Sequence, residues 1–191
     1  MNVIIKPLSP DLLDDFLNYF DNIAFSDNPG WSKCYCHFYH FNGTNQEFAK
    51  RTAEENRNAS KDLILSGKMN GFIAYLDNKP VGWCNVNLKE NFAKIPFKYK
   101  GDTLDSNKKI ASIICFIIAP KHRKQGIARK LLKFAISYMK NNDYDLIEVY
   151  PSKGKNLSDA HSYRGPISLY ISEGFYTYKK YKNHDIMRRK L

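Results

Sequence analysis

The residues with the most chemical promise are Arg123, Lys124, Gln125, Gly126, Ile127, Ala128 and Arg129, a run that sets one glycine among cations. An apolar, isoleucine-rich segment (Ile110 to Ala119) precedes it and reads as a buried strand. After the glycine, Ile127, Leu131, Leu132, Ala135, Ile136 and Met139 recur at helical spacing. A strand, a tight turn and a helix start leave several backbone N–H groups at the positive end of a helix dipole, which suits phosphate. A side chain at Gly126 would obstruct the close approach of such an anion to the backbone. No Asp or Glu lies between Ser106 and Asn142, whereas Lys108, Lys121, Arg123, Lys124, Arg129 and Lys133 all do. Much of the net charge of +11 is therefore gathered around this one turn.

Two familiar phosphate motifs do not fit. A Walker loop needs Gly-x-x-x-x-Gly-Lys-Ser/Thr, and a dinucleotide fold needs Gly-x-Gly-x-x-Gly after its first strand. The chain instead carries Arg123-x-x-Gly126-x-Ala128, preceded by Ile118-Ala119-Pro120 and followed by Leu131-Leu132. This resembles the acetyl-coenzyme A loop of the GNAT-type N-acetyltransferase superfamily. A second match, Leu169-Tyr170-x-x-x-Gly174-Phe175, is similar to a signature found late in the same superfamily. Gly174 suits the end of a short helix, because the left-handed closing residue is easiest for glycine.

The resemblance implies an α/β fold, one N-acetyltransferase-like domain over residues 1–191, with a mixed central sheet flanked by helices and two central strands splayed apart. The pantetheine arm of acetyl-CoA would lie in that gap against the main chains of Phe116 and Ile118. The diphosphate would rest on the turn from Arg123 to Arg129. The implied activity is transfer of an acetyl group to a primary amine of a small molecule or peptide, by direct attack in a ternary complex. Such chemistry needs donors that polarise the acyl carbonyl, an uncharged amine, and an acid near the departing sulfur. Tyr170 takes the acid role by resemblance, its hydroxyl being protonated at neutral pH.

The chain departs from the family in two places. Relatives often carry a Glu on the central strand or the one before, yet Ser112 to Ile118 and Val81 to Asn87 hold no carboxylate. Glu148, with Asp145, is the nearest acidic candidate, and its plainer reading is an outward-facing strand residue. The family often has an Asn seven residues before the tyrosine, where this chain has Tyr163, and Ser152 to Pro166 is longer than usual. The missing carboxylate keeps an alternative open: a non-catalytic acyl-CoA-binding module of the same fold.

The acceptor side is expected in Trp31-Ser-Lys-Cys34-Tyr35-Cys36-His37-Phe38-Tyr39-His40. If this stretch is extended, Cys34, Cys36 and His40 share a face and His37 points away. The Cys-x-Cys spacing with no second pair argues against zinc, so no metal is expected. Acceptor recognition by Trp31, Tyr35 and Tyr39 fits the composition better, with Trp83 and the stretch Phe92 to Tyr99 closing the pocket.

These groups must be positioned by the elements around them. Strands are expected at Val3 to Ile5, Gly71 to Leu76, Val81 to Asn87, from Ile110, and at Asp145 to Tyr150. Helices are expected after Ser9-Pro10-Asp11, from Gln46 to Ser66, after Gly126 and around Tyr170. Asp77 to Pro80 reads as a hairpin turn. At 191 residues with 43% hydrophobic content, the chain can build a substantial core. No apolar run approaches a membrane span, and the N-terminus does not read as a signal peptide. The four cysteines form no disulfide framework, which points to a reduced, cytoplasmic setting. The basic C-terminal cluster (Lys179, Lys180, Lys182, Arg188, Arg189, Lys190) reads as solvated surface, with no nucleic-acid motif beside it. A monomer or homodimer is expected.

Overall fold

The run Ile110–Ile118 (β4) is apolar at almost every position because both its faces are covered, and it forms the middle of the sheet. The structure, a computed structural model, describes residues 2–95, 107–154 and 161–191. Within them a seven-stranded sheet is ordered β1-β2-β3-β4-β5-β7-β6. The strands are β1 Val3–Pro7, β2 Gly71–Leu76, β3 Lys79–Leu88, β4, β5 Leu146–Val149, β6 Tyr176–Lys180 and β7 Asp185–Lys190. All pairs are antiparallel except β4 with β5, whose parallel pairing requires the crossover helix α4 (Ile127–Lys140). The fold is thus the mixed, helix-flanked sheet that the resemblance implies.

β4 and β5 pair only from Ile110↔Leu146 to Ile113↔Val149. β5 stops there, while β4 continues to Ile118 against β3 alone. This is the splay, and it opens a gap beside the second half of β4.

The apolar stripe of α4 packs on one sheet face, where Ile127, Leu131, Leu132, Ala135, Ile136 and Met139 are all buried. Each large side chain in such a stripe contributes about 1.5–3 kcal/mol relative to exposure. Helices α1 (Leu13–Asn22) and α3 (Ala53–Leu65) cover the opposite face over Phe16, Phe20, Ile64 and Trp83. Because alternate residues of a strand point to opposite faces, Phe116 belongs to the α4 side, and Cys115 and Ile117 to the α1 side.

Several elements differ from the sequence expectation. The stretch expected as one helix from Gln46 to Ser66 is two, α2 (Asn45–Lys50) and α3, because Arg51 is extended and Thr52 starts a new helix. Both carry a complete capping box, Thr44 with Glu47 and Thr52 with Glu55, a T-x-x-E spacing visible in the sequence. The hairpin turn is only Asp77-Asn78, both left-handed, so Lys79 and Pro80 are already strand. The basic tail is not a solvated surface throughout. β7 inserts between β5 and β6, and Arg188 is 3% exposed. Glu148 is likewise not outward-facing: it is 1% exposed, because β5 is flanked by β4 and β7 and covered on both faces. Among the described residues no helix is long and apolar enough to cross a membrane.

Candidate active site

The turn after β4 begins with a short 3₁₀ segment, Pro120–His122, and ends at Gly126, which caps α4 with φ of +81°. Lys124 is also left-handed, with φ of +59°. The first backbone bond of α4 runs from Lys130 N–H to the Gly126 carbonyl, so the N–H groups of Ile127, Ala128 and Arg129 precede the intrahelical ladder. A Cβ placed on Gly126 would meet nothing within 4 Å beyond its own stretch of chain. It would project into a cleft of about 370 Å³ lined by Phe116, Ile118, Lys124, Gly126, Arg129 and Leu169, among others. Among the described residues no carboxylate lines this cleft, and Arg123, Lys124 and Arg129 do. The site fits a polyphosphate approached closely by backbone.

The remaining cofactor-side residues are placed as follows. Arg123 forms a fork on Asp27, one arm at 3.1 Å, and its Nε donates to the Ile118 carbonyl at 3.1 Å. That pair holds Asp27 below the usual carboxylate range through the Arg123 hydrogen bond. Gln125 donates its side-chain amide to the Lys121 carbonyl at 3.0 Å, which braces the turn. Arg129 pairs with Glu173, just past the helix that carries Tyr170, at 3.3 Å.

Across the gap from β4 runs the segment 161–166. The Phe116 N–H donates to the Tyr163 carbonyl at 2.6 Å. The Tyr170 hydroxyl, on α5 (Ile167–Ser172), donates to the adjacent Arg164 carbonyl at 2.6 Å. Tyr170 is 1% exposed, and burial holds its phenol well above the usual tyrosine value, so it is a protonated donor. Gly165, with φ of +73°, brings the backbone over that ring: a Cβ there would sit 2.7 Å from the Tyr170 oxygen. Any ligand that uses the Phe116 N–H has to displace Tyr163 first.

On the other side of β4 lies an apolar pocket of about 360 Å³, lined by Trp31, Phe38, Tyr39, Cys115, Ile117 and Tyr163, among others. Tyr163 lines both clefts and so forms the wall between them. The segment from Trp31 to His40 is not extended. It forms 3₁₀ turns joined by left-handed Tyr35 and Cys36, so the face-sharing of Cys34, Cys36 and His40 does not arise. Cys34 and Cys36 line the pocket, while His37 and His40 turn into the protein, each lowered to about 4 by burial. Among the described residues no group of His, Cys, Asp and Glu is arranged to hold a metal ion.

Of the four acceptor candidates, Trp31 and Tyr39 line the pocket and the other two have different neighbours. Tyr35 turns away and donates to Asp21 at 2.6 Å, beside Arg57. Trp83 is 0% exposed and packs edge-on to Phe16 at 5.1 Å, deep in the core. Phe92 is core as well, and the stretch 96–99 lies outside the described residues. Glu148 faces neither cleft: it accepts from Tyr150 at 2.6 Å and pairs with Arg188 and Lys89, both at 2.7 Å. Tyr163 is the residue sequence reasoning passed over as a mere departure from the family pattern. Its only signal was the aromatic side chain standing where an amide is usual.

Residues 33–164 match the profile described as the Acetyltransferase (GNAT) family. Among curated proteins no sequence matches the chain. Solved structures share the fold. One is PaiA N-acetyltransferase from Thermoplasma acidophilum in complex with coenzyme A (16% identity, TM-score 0.55, all of both chains covered). Another is a GNAT-family acetyltransferase from Streptococcus pneumoniae (13% identity, TM-score 0.57, all of both chains). A third is ribosomal-protein-alanine N-acetyltransferase from Brucella melitensis (14% identity, TM-score 0.56, 98% of this chain and 99% of that one).

Proposed function

Since this chain belongs to the acetyltransferase (GNAT) family, we propose that it transfers the acetyl group of acetyl-CoA to a primary amine of a small molecule or peptide, by direct attack in a ternary complex. The observation that carries the reading is the parting of β4 from β5 after Ile113 and Val149, in a gap that leads to the Gly126-capped start of α4. Acetyl-CoA supplies an electrophilic acyl carbon and a thiolate leaving group. In the transfer a C–N bond forms and the C–S bond breaks, while one proton leaves nitrogen and one ends on sulfur.

The chain's own groups have separate tasks. The N–H groups from Lys124 to Arg129 hold the diphosphate, with Lys124 and Arg129 adding charge. Arg123 acts through its fork on Asp27 and its bond to the Ile118 carbonyl, fixing the turn against β4. The Phe116 N–H, once Tyr163 is displaced, polarises the acyl carbonyl. Tyr170 is released from the Arg164 carbonyl by the same movement and delivers the proton to sulfur. Trp31 and Tyr39 receive the acceptor.

A second reading, acyl-CoA binding without transfer, is favoured by the two carbonyls that hold Phe116 and Tyr170 and by the absence of a carboxylate among the described lining of either cleft. Thiol release with an amine panel, run beside calorimetric binding of acetyl-CoA, separates the two. Binding with no thiol release would leave only the second reading. No binding at all would remove both.

A further inference from the structure

We infer that the acceptor is a small aromatic amine with its nitrogen borne directly on the ring, seated in the apolar pocket on the α1 side of β4. This rests on the acetyl-transfer reading and adds the substrate class to it. The pocket, about 360 Å³, is near the lower end of ligand sites, which suits one small molecule rather than a length of chain. Its walls are flat and soft. Trp31 stands edge-on to Tyr163 with ring centroids 5.6 Å apart, and Phe38 stands edge-on to Tyr39 at 5.1 Å. Cys34, Cys36 and Cys115 add sulfur: burial pushes the Cys34 thiol up to about 12, the hydrogen bond to Cys36 raises Cys115, and Cys36, against its burial, is lowered by hydrogen bonds from Cys115 and Asn85. Sulfur and ring edges favour an aromatic guest over a saturated polar one.

The charges nearby carry the second half of the argument. Lys33 lines the pocket, its ammonium bonded to the Ala49 carbonyl at 3.0 Å. Arg164 places its guanidinium 3.0 Å from the Tyr39 hydroxyl. Among the described lining residues no carboxylate answers these cations. Among the described lining residues an alkylammonium would find no carboxylate to pair with its charge or to take its proton. A ring-bound amine delocalises its lone pair into the ring and is already uncharged at neutral pH. It needs no such base. Cys115 and Ile117 place this pocket against the strand whose other face lines the cofactor cleft, and Tyr163 is the shared wall.

The test compares thiol release from acetyl-CoA with p-anisidine, phenethylamine, spermidine and a tetrapeptide with a free N-terminal alanine. The expected result is a kcat/KM for p-anisidine at least about tenfold above each of the others, a margin an apolar pocket can supply. That rate should not vary with pH across the neutral range. Trp31→Ala should raise the KM for p-anisidine about tenfold, with the KM for acetyl-CoA unchanged, and Trp31→Phe should restore most of the loss. Faster turnover of phenethylamine, spermidine or the peptide would overturn the inference while leaving acetyl transfer in place. So would an unchanged KM in Trp31→Ala. Release with none of the four, despite acetyl-CoA binding, would remove both.

Discussion

The Tyr163 carbonyl accepts the Phe116 N–H at 2.6 Å, across the gap that β5 leaves when it ends. One residue on, the Arg164 carbonyl accepts the Tyr170 hydroxyl at the same distance. Two neighbouring carbonyls thus hold the two donors that acetyl transfer would draw on. Binding of acetyl-CoA should therefore exchange these bonds for bonds to the ligand. Amide resonances of Phe116 and of 163–165 should shift on titration with acetyl-CoA, with changes reaching Tyr170. A shift confined to the Gly126 turn would show that the arm does not enter the gap.

Tyr170→Phe removes a buried hydroxyl and leaves the Arg164 carbonyl without its donor, at a cost of about 1–3 kcal/mol in stability. Beyond that, turnover should fall about 10²-fold or more while the dissociation constant for acetyl-CoA changes little. Steady-state kinetics and calorimetry on the same preparation check it. Unaltered kcat would leave Tyr170 a structural residue only.

Gly126→Val should abolish most coenzyme A affinity with modest effect on folding. The left-handed backbone at +81° costs a branched residue about 1–3 kcal/mol, and the new side chain points into the cleft rather than at protein atoms. Calorimetric affinity and a denaturant midpoint, measured together, separate the two effects. Retained affinity would place the diphosphate elsewhere.

Glu148→Gln should destabilise the fold by about 3–5 kcal/mol, because Arg188 would be left buried with its charge uncompensated. The fraction that folds should transfer acetyl groups at an undiminished rate, since the carboxylate faces its ion pairs and not a cleft. Urea unfolding and active-site-normalised kcat are the measurements. A selective loss of kcat would return Glu148 to candidacy as the base.

His37 and His40 make the fold acid-sensitive. Burial lowers both from 6.5 to about 4, so in the folded state they stay neutral where the unfolded chain takes up protons. The stability these two histidines contribute should be full above pH 6.5 and lost as the pH falls from 6.5 through about 4. Each shift corresponds to about 3 kcal/mol at most. His37→Gln should flatten the slope of unfolding free energy against pH in that window. An unchanged slope would show that His37 is not among the groups responsible.

Much of this protein is written locally. The buried strand Ile110–Ile118, the glycine turn and the stripe of α4 follow from apolar periodicity and from the residue that most easily takes a left-handed cap. The short helix at Tyr170 and the glycine that ends it are implied by the resemblance of Leu169-Tyr170-x-x-x-Gly174-Phe175 to the family signature. These features depend on neighbours within a few positions, and sequence spacing records them directly. The two T-x-x-E boxes that break Asn45–Leu65 into separate helices were legible on the same terms.

Tertiary contact decided the rest. Arg188 and Glu148 lie 40 positions apart, and only the insertion of β7 beside β5 turns two charged residues into one buried ion pair. Tyr35 and Trp83 carry the same aromatic surface as Trp31 and Tyr39, and it is packing that sends two to the core and two to the pocket. Tyr163 reaches the Phe116 N–H because β5 stops short and leaves a donor that the nearest chain must satisfy. Long-range pairing answers to unmet hydrogen bonds and to buried area, and neither has a period along the chain.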